Sequence, residues 1–310
     1  MCPNVKKPRL IVILGPTAVG KTAAAMALAR ESGGEIVSAD SMQVYRFLDI
    51  GTAKPTLEEQ SLVRHHIIDV VNPDEQFNAA MFIGLAHEAI RKLSDAGKPV
   101  FVVGGTGLYI KALLGGLFEG PEADEDLRRL YKQELKQFGR MHLYEKLRER
   151  DEMAAAQIDR HDIPRIIRAL EVLELCGISI VEKQNAHRFG DSLYDVVKIG
   201  LTVERAELYK RIDQRTERML GNGIVEEVER LFSSGYRENL KPLQALGYKH
   251  VVRLIKGSCN LTDATRMIKR DTRHFAKRQM TWFGRDGEIE WFAPSDIETV
   301  RRRIDQFLSA

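Results

Sequence analysis

Unbroken apolar runs alternate with stretches of helical period along the first part of the chain. Leu10-Ile11-Val12-Ile13-Leu14 and Val100-Phe101-Val102-Val103 contain no polar residue, as strands buried on both faces of a parallel sheet do. The second run is entered through Gly97 and Pro99 and ended by Gly104-Gly105. A short strand over 35–38 follows Gly33-Gly34, and helices are expected over the alanine-rich 23–30 and over 79–96. This βαβ alternation predicts an α/β fold, with a parallel sheet, helices on both faces, and binding groups at the C-terminal ends of the strands.

From Pro121 the pattern changes. Residues 124–150 are dense in charge and read as exposed helix. Residues 162–176 read as a helix opened by Asp162, with Pro164 in its first turn and Gly177 at its end. Strand character returns over 194–201. We therefore expect a helical insertion domain, 121–190, in a core built from 1–120 and 191–310. Beyond about Glu204 the core is expected to be mostly helical, with breaks at Gly221, Gly235 and Gly257. No internal repeat or low-complexity linker is visible.

Composition narrows the class. The chain has 310 residues, of which 44% are hydrophobic, with net charge +3 and three cysteines. No apolar run approaches a membrane span, and residues 1–9 lack the apolar core of a signal peptide. Cys2, Cys176 and Cys259 are scattered and odd in number, which argues for the reducing cytoplasm and against a disulfide framework or zinc site. So small a net charge does not by itself identify a nucleic-acid partner; the placement of the charges has to decide.

The most specific chemistry lies directly after the first strand. Gly15-Pro16-Thr17-Ala18-Val19-Gly20-Lys21-Thr22 joins that strand to a helix, the context in which a phosphate-binding loop aims backbone N–H groups and a helix dipole at an anion. Lys21 would reach the terminal phosphates, and the Thr22 hydroxyl is placed to bind Mg2+. Asp40 follows the strand over 35–38, on the same edge of the sheet. A carboxylate there can ligate Mg2+, take a proton from an acceptor, or cap the next turn. The polar and aromatic Ser41-Met42-Gln43-Val44-Tyr45 beside it favours a substrate-facing loop.

Two arginine patterns lie further on. In the helix expected over 204–220, Leu208, Ile212 and Met219 share a stripe and Arg215 projects from its middle, with Arg211 bordering it. Arg215 must meet an anion there, either a structural carboxylate or the ligand's diphosphate. Arg266, Arg270, Arg273 and Lys277 share a helix face, with Lys269 beside them, Arg278 and Gln279 following, and only Asp271 acidic among them. Such a run can be a plain solvated face. Trp282 and Phe283 nearby would supply stacking surfaces suited to RNA, and Arg165, Arg168 and Lys249 could extend them.

Six ordered motifs carry a resemblance. The phosphate loop, Asp40-Ser41-Met42-Gln43-Val44-Tyr45, Gly51-Thr52-Ala53-Lys54, Gly104-Gly105-Thr106-Gly107-Leu108-Tyr109, Arg168-Ala169-Leu170-Glu171-Val172 and Lys277-Arg278-Gln279-Met280-Thr281-Trp282 resemble those of bacterial tRNA dimethylallyltransferases. One departure is Gly284, where the pattern has an arginine; Arg285 follows it.

The resemblance implies a P-loop NTPase-like core with a helical insertion. It also implies transfer of a dimethylallyl group, from dimethylallyl diphosphate, to the exocyclic amine of the adenosine 3′-adjacent to the anticodon. Asp40 is then the base. Thr17, Lys21, Arg215 and Thr106 assist, the diphosphate lies on residues 15–22 (Gly15, Pro16, Thr17, Ala18, Val19, Gly20, Lys21 and Thr22) with Arg211 and Arg215, and Mg2+ is the cofactor. The anticodon stem-loop of tRNA would be met by Asp40, Ser41, Met42, Gln43 and Thr106, and by Gln244, Gly247, Tyr248 and Lys249. Further contacts would come from Arg270, Arg273, Lys277, Arg278, Gln279 and Trp282, and in the insertion from Arg128, Pro164, Arg165, Ile166, Ile167 and Arg168. The base would flip out of its stack to react, and the enzyme is expected to act as a monomer.

Three alternatives stand beside this reading. A prenyltransferase of free adenine nucleotides resembles the first half, but Met42 and the 277–282 motif favour tRNA. A nucleotide-dependent kinase or switch would need a strand ending in a Walker-B Asp, whereas the run over 99–103 ends in glycines. A purely RNA-binding protein leaves Asp40 and the phosphate loop unexplained.

Overall fold

The computed structural model describes residues 7–117, 120–186 and 193–310. Cys2, the first six residues and the expected boundary at 190/191 lie outside them. The chain divides into two compact units, residues 1–114 with 192–310, and residues 115–191.

The larger unit is a six-stranded, wholly parallel sheet. Its strands are β1 (Arg9–Leu14), β2 (Glu35–Ser38), β3 (His65–His66), β4 (Val100–Gly104), β5 (Asp195–Leu201) and β6 (Ile289–Phe292), in the order β3-β2-β4-β1-β5-β6. The apolar runs are strands because both faces are covered. Leu10, Val12 and Leu14 of β1 pack into one core layer, and Ile11 and Ile13 into the other. Each fully buried Leu or Ile contributes about 1.5–3 kcal/mol. The first layer takes α3 (Ala79–Asp95) and α4 (Gly107–Gly115), with α11 (Ile224–Ser233) and α12 (Tyr248–Ile255) of the C-terminal part. The second takes α1 (Lys21–Ser32), α10 (Arg205–Gly221) and α14 (Ile297–Ser309). The short α2 (Leu57–Leu62) and the long α13 (Leu261–Phe283) complete the unit. Because β1, β2, β4 and β5 run parallel and in register, with Leu14 level with Gly104 and Gly200, the segments after their C-terminal ends converge on one edge.

Two strands differ from the sequence expectation. His65–His66 is too short for a period to register, and β6 lies in a stretch read as helical, where Ile289-Glu290-Trp291-Phe292 pairs with β5.

The smaller unit is helical, with α5 (Glu125–Phe138), α6 (Arg140–Arg150), α7 (Glu152–Gln157), α8 (Ile163–Cys176) and α9 (Ile180–Ala186). The single exposed helix expected over 124–150 is two helices. Gly139, at φ 82° and ψ 177°, breaks it. The charged residues also mask an apolar stripe, since Tyr131, Leu143 and Leu147 are buried against α8. Asp162 caps α8 through the Arg165 N–H, and Gly177 ends it in the left-handed conformation, as its sequence predicts.

Candidate active site

At the shared edge lies a cavity of about 470 Å³. It is lined by Thr17, Lys21 and Thr22, by Asp40 to Gln43, by Thr106, and by Arg215 and Gln279. β1 ends in the phosphate loop, which turns through Ala18 at φ 65° and enters α1 at Lys21. The first N–H groups of a helix have no intrahelical acceptor, so those of α1 remain for an anion.

Lys21 is half-buried, and its Nζ donates to the Pro16 carbonyl at 2.7 Å. Desolvation, and then the charge of Arg215, draw its pKa down to about 7, against the opposing pull of Asp40. Arg215 comes from α10. Its Nη1 donates to Thr17 Oγ1 at 3.1 Å and its Nη2 to the Thr52 carbonyl at 3.3 Å. No carboxylate among the described residues pairs with it, so a structural ion pair does not account for its position. Burial lowers its pKa, and Asp40 opposes that shift. Two cations thus face one cavity with their attraction for an anion unspent. Arg211 differs. Its Nε is held by Glu207 at 2.7 Å, and its Nη1 reaches the Val19 carbonyl.

Asp40 does two things at once. Its Oδ1 accepts the N–H groups of Met42 (2.8 Å) and Gln43 (3.3 Å), closing the turn. Its Oδ2 accepts no hydrogen bond from the described residues. Thr106 Oγ1 accepts the Ser41 N–H at 3.1 Å, which leaves its hydroxyl hydrogen to donate into the cavity. Ser38 donates to the Gln43 side-chain oxygen at 3.0 Å.

Several residues expected at an RNA surface are occupied elsewhere. Gln279 accepts the Thr17 N–H through Oε1 (2.8 Å) and donates through Nε2 to the Gly105 carbonyl (2.9 Å). It ties two loops of the cavity together and is buried, so one donor and one acceptor position of its amide are committed within the protein. A Cβ on Gly105 would stand 2.3 Å from that Nε2, so a side chain there would push the Gln279 amide out of this bond. Tyr248 is buried, its hydroxyl donating to Glu227. Phe283 is core, and of the expected stacking pair only Trp282 reaches the surface. Gly247 and Lys249 line the cavity, while Gln244 donates one amide N–H to the Glu238 carbonyl.

The basic face of α13 is more neutral than its own sequence suggests, because α10 adds two acids to the two that α13 carries itself. Arg266 pairs with Asp263, Lys269 with Glu217 and Arg270 with Asp271, and Arg273 makes two 2.7 Å bonds to Asp213. Lys249 also pairs with Asp271. Lys277 and Arg278 have no acidic partner among the described residues.

In the smaller unit, Ile166 and Ile167 are core and cannot offer side chains to RNA. Arg128 and Arg168 both bind the buried Glu171. Arg165, beyond Pro164 in the first turn of α8, is exposed and pairs with Asp162. Thr52, whose carbonyl orients Arg215, escapes a reading of the sequence as a site residue. Its only signal is its place in Gly51-Thr52-Ala53-Lys54.

Comparison with known proteins agrees on one family. The IPP transferase family model matches residues 43–286. The chain is 56% identical to tRNA dimethylallyltransferase 2 of Syntrophus aciditrophicus over 99% of both sequences. It is 48% identical to tRNA dimethylallyltransferase of Desulfatibacillum aliphaticivorans, over 97% of this chain and 99% of the other. Among solved structures, full-length tRNA isopentenylpyrophosphate transferase of Bacillus halodurans matches with TM-score 0.73 and 39% identity, over 98% of this chain and 97% of that one. A eukaryotic dimethylallyltransferase acting on tRNA matches with TM-score 0.78 and 27% identity, over 94% and 75%.

Proposed function

The chain belongs to the IPP transferase family, and we propose that its cavity ionises dimethylallyl diphosphate and prenylates the adenosine 3′-adjacent to the anticodon. Transfer of a dimethylallyl group to tRNA is the activity of its relatives. The observation that carries the assignment is the arrangement of charge. Lys21 and Arg215, neither with a carboxylate partner among the described residues, sit opposite an Asp40 with one oxygen to spare.

In the reaction the allylic C–O bond breaks and its electron pair leaves with the diphosphate. The loop N–H groups, Lys21, Arg215 and the Thr17 hydroxyl that Arg215 fixes stabilise the charge that builds there. The adenine amine supplies the electron pair of the new N–C bond, and its proton passes to Asp40 Oδ2. Thr106 holds the Asp40 loop through Ser41 and has a hydroxyl hydrogen left for the acceptor.

No three His, Cys, Asp or Glu side chains gather into a metal site among the described residues. The half-buried Thr22 hydroxyl at the head of α1 suits a Mg2+ ion that takes most of its ligands from diphosphate and water. Such an ion would neutralise part of the leaving group's charge. Lys277, Arg278 and Trp282 on α13 and Arg165 on α8 are the side chains we assign to tRNA. We take the enzyme to act as a monomer, and a tRNA acceptor implies work in the cytoplasm. No helix among the described residues is long and apolar enough to cross a membrane.

Labelled dimethylallyl diphosphate, offered with tRNA or with AMP, tests the acceptor; label in AMP and none in tRNA would reject this reading. Asp40→Asn tests the base, because asparagine keeps the turn's acceptor but cannot take a proton. Transfer should fall about 10²–10⁴-fold with folding intact.

A further inference from the structure

Glu227 of α11 is buried among apolar side chains, and no cation among the described residues offsets its charge. Its Oε2 accepts the backbone N–H groups of Asp49 (2.9 Å) and Ile50 (2.8 Å). Its Oε1 accepts the Gly51 N–H (3.3 Å) and the Tyr248 hydroxyl (2.6 Å). A carboxylate removed from water needs such a full set of donors, since an uncompensated one costs several kcal/mol. Burial, and next the charge of Glu227, raise the Tyr248 pKa well above that of a free phenol, so the phenol keeps its proton and stays a donor.

The turn held in this way is the one that directs Arg215. Thr52 follows Gly51, and its hydroxyl closes the turn onto the Leu48 carbonyl at 2.7 Å. Its own carbonyl receives Arg215 Nη2, while Nη1 of the same guanidinium reaches Thr17 in the phosphate loop. The Tyr248 ring leaves no room for play, since a Cβ on Gly51 would lie 2.3 Å from its Cζ. Tyr248 also begins α12, next to Gly247 and Lys249 on the cavity wall.

We propose that Glu227 is a positioning residue for prenyl transfer, fixing the plane of the Arg215 guanidinium through the 49–52 turn without touching the substrate. This rests on the reading that Arg215 holds the leaving diphosphate. A guanidinium is useful there because its donors form a rigid fork, and a fork turned out of line weakens the transition state before it weakens the ground state.

The test is a double-mutant cycle on full-length protein, with steady-state transfer to tRNA as the readout. Glu227→Gln keeps the side chain's size but turns an amide N–H toward the backbone donors. It should lower kcat roughly 10–100-fold with the KM for tRNA unchanged. Tyr248→Phe removes one of the four donors and should shift kcat the same way, but less. In an Arg215→Ala background, both changes should cost less than about threefold, because residues acting as one unit do not add. Additive losses, or an unchanged kcat in Glu227→Gln, overturn the role of Glu227 while leaving that of Arg215 intact. Full activity in Arg215→Ala alone overturns both. Should Glu227→Gln fail to fold, as a thermal melt would reveal, Tyr248→Phe carries the same cycle and its outcomes decide in the same way.

Discussion

The Gln279 side chain accepts the Thr17 backbone N–H at 2.8 Å across 262 positions of sequence. The same amide reaches Gly105 beyond β4, so one residue of α13 sets the spacing of two loops that enclose the cavity. Gln279→Ala would leave Thr17 without its acceptor and open a void in a buried place. Transfer should fall about 10²-fold from misplaced loops, and tRNA affinity at fixed salt should stay near that of the parent. A large loss of tRNA affinity with kcat unchanged would return Gln279 to the RNA surface.

Lys21 gives the ligand site a pH dependence whose sign can be worked out. Its pKa is about 7 in the free protein, and a bound diphosphate, lying against it, must raise that value. Below pH 7 the ammonium is already formed and binding takes up no proton there. Above pH 7 binding must add one, so affinity falls toward tenfold per pH unit until the bound pKa is reached. Diphosphate titrates too, so the measurement is the difference in slope between the parent and Lys21→Met, by calorimetry from about pH 6 to 9. Equal slopes would exclude Lys21 from the site. Folding without ligand runs the other way. The unfolded lysine keeps its proton to about pH 10.4, so stability from this group rises with pH above 7.

Glu171 governs the smaller unit. It is fully buried and receives Arg128 Nε at 2.8 Å, the Asp124 N–H at 2.8 Å and Arg168. Burial pushes its pKa up, but the hydrogen bonds from Arg128, Arg168 and the Asp124 backbone outweigh that and hold it below the usual carboxylate value. Its contribution is therefore complete above the unfolded pKa of about 4.3 and is lost as pH falls through the lower folded value. Glu171→Ala, which leaves two arginines facing a void, should cost about 3–5 kcal/mol by denaturant unfolding at pH 7. A loss under about 1 kcal/mol would mean that the arginines find water instead.

Much of this arrangement is legible in the chain because it is local. The strands β1 and β4 announce themselves by apolar runs, the phosphate loop by spacing, and α8 by Asp162, Pro164 and Gly177. Arg215 is readable as an out-of-place charge on an apolar stripe. What cannot be read depends on interactions between distant segments. Nothing near Gln279 tells that its amide faces Thr17, and nothing on α13 tells that Asp213 and Glu217 of α10 neutralise its basic face. Ile166 and Ile167 share a helix turn with Arg168, yet helical phase turns their side chains into the core.

Those acids of α10 make the RNA surface testable by removing one charge at a time. Arg273 makes two bonds to Asp213 and lies over the Tyr209 ring at 5.1 Å, so it can give a phosphate only what Asp213 releases. Lys277 and Arg278 have no acid to leave among the described residues. Lys277→Ala and Arg278→Ala should each weaken tRNA binding and flatten log affinity against log salt, by about 0.7–0.9 for each phosphate no longer neutralised. Arg273→Ala should weaken binding as well, but with a smaller change in slope. There the freed Asp213 repels the RNA backbone, and only within a Debye length of about 10 Å. Asp213→Asn is the discriminating variant. It leaves Arg273 folded against Tyr209 and removes the competitor, so tRNA should bind more tightly and with a steeper slope than to the parent. Titrations at several salt concentrations with the four variants decide the matter. Unchanged slopes for Lys277→Ala and Arg278→Ala, together with no gain from Asp213→Asn, would make α13 an internally neutralised structural helix and move the RNA surface to Arg165.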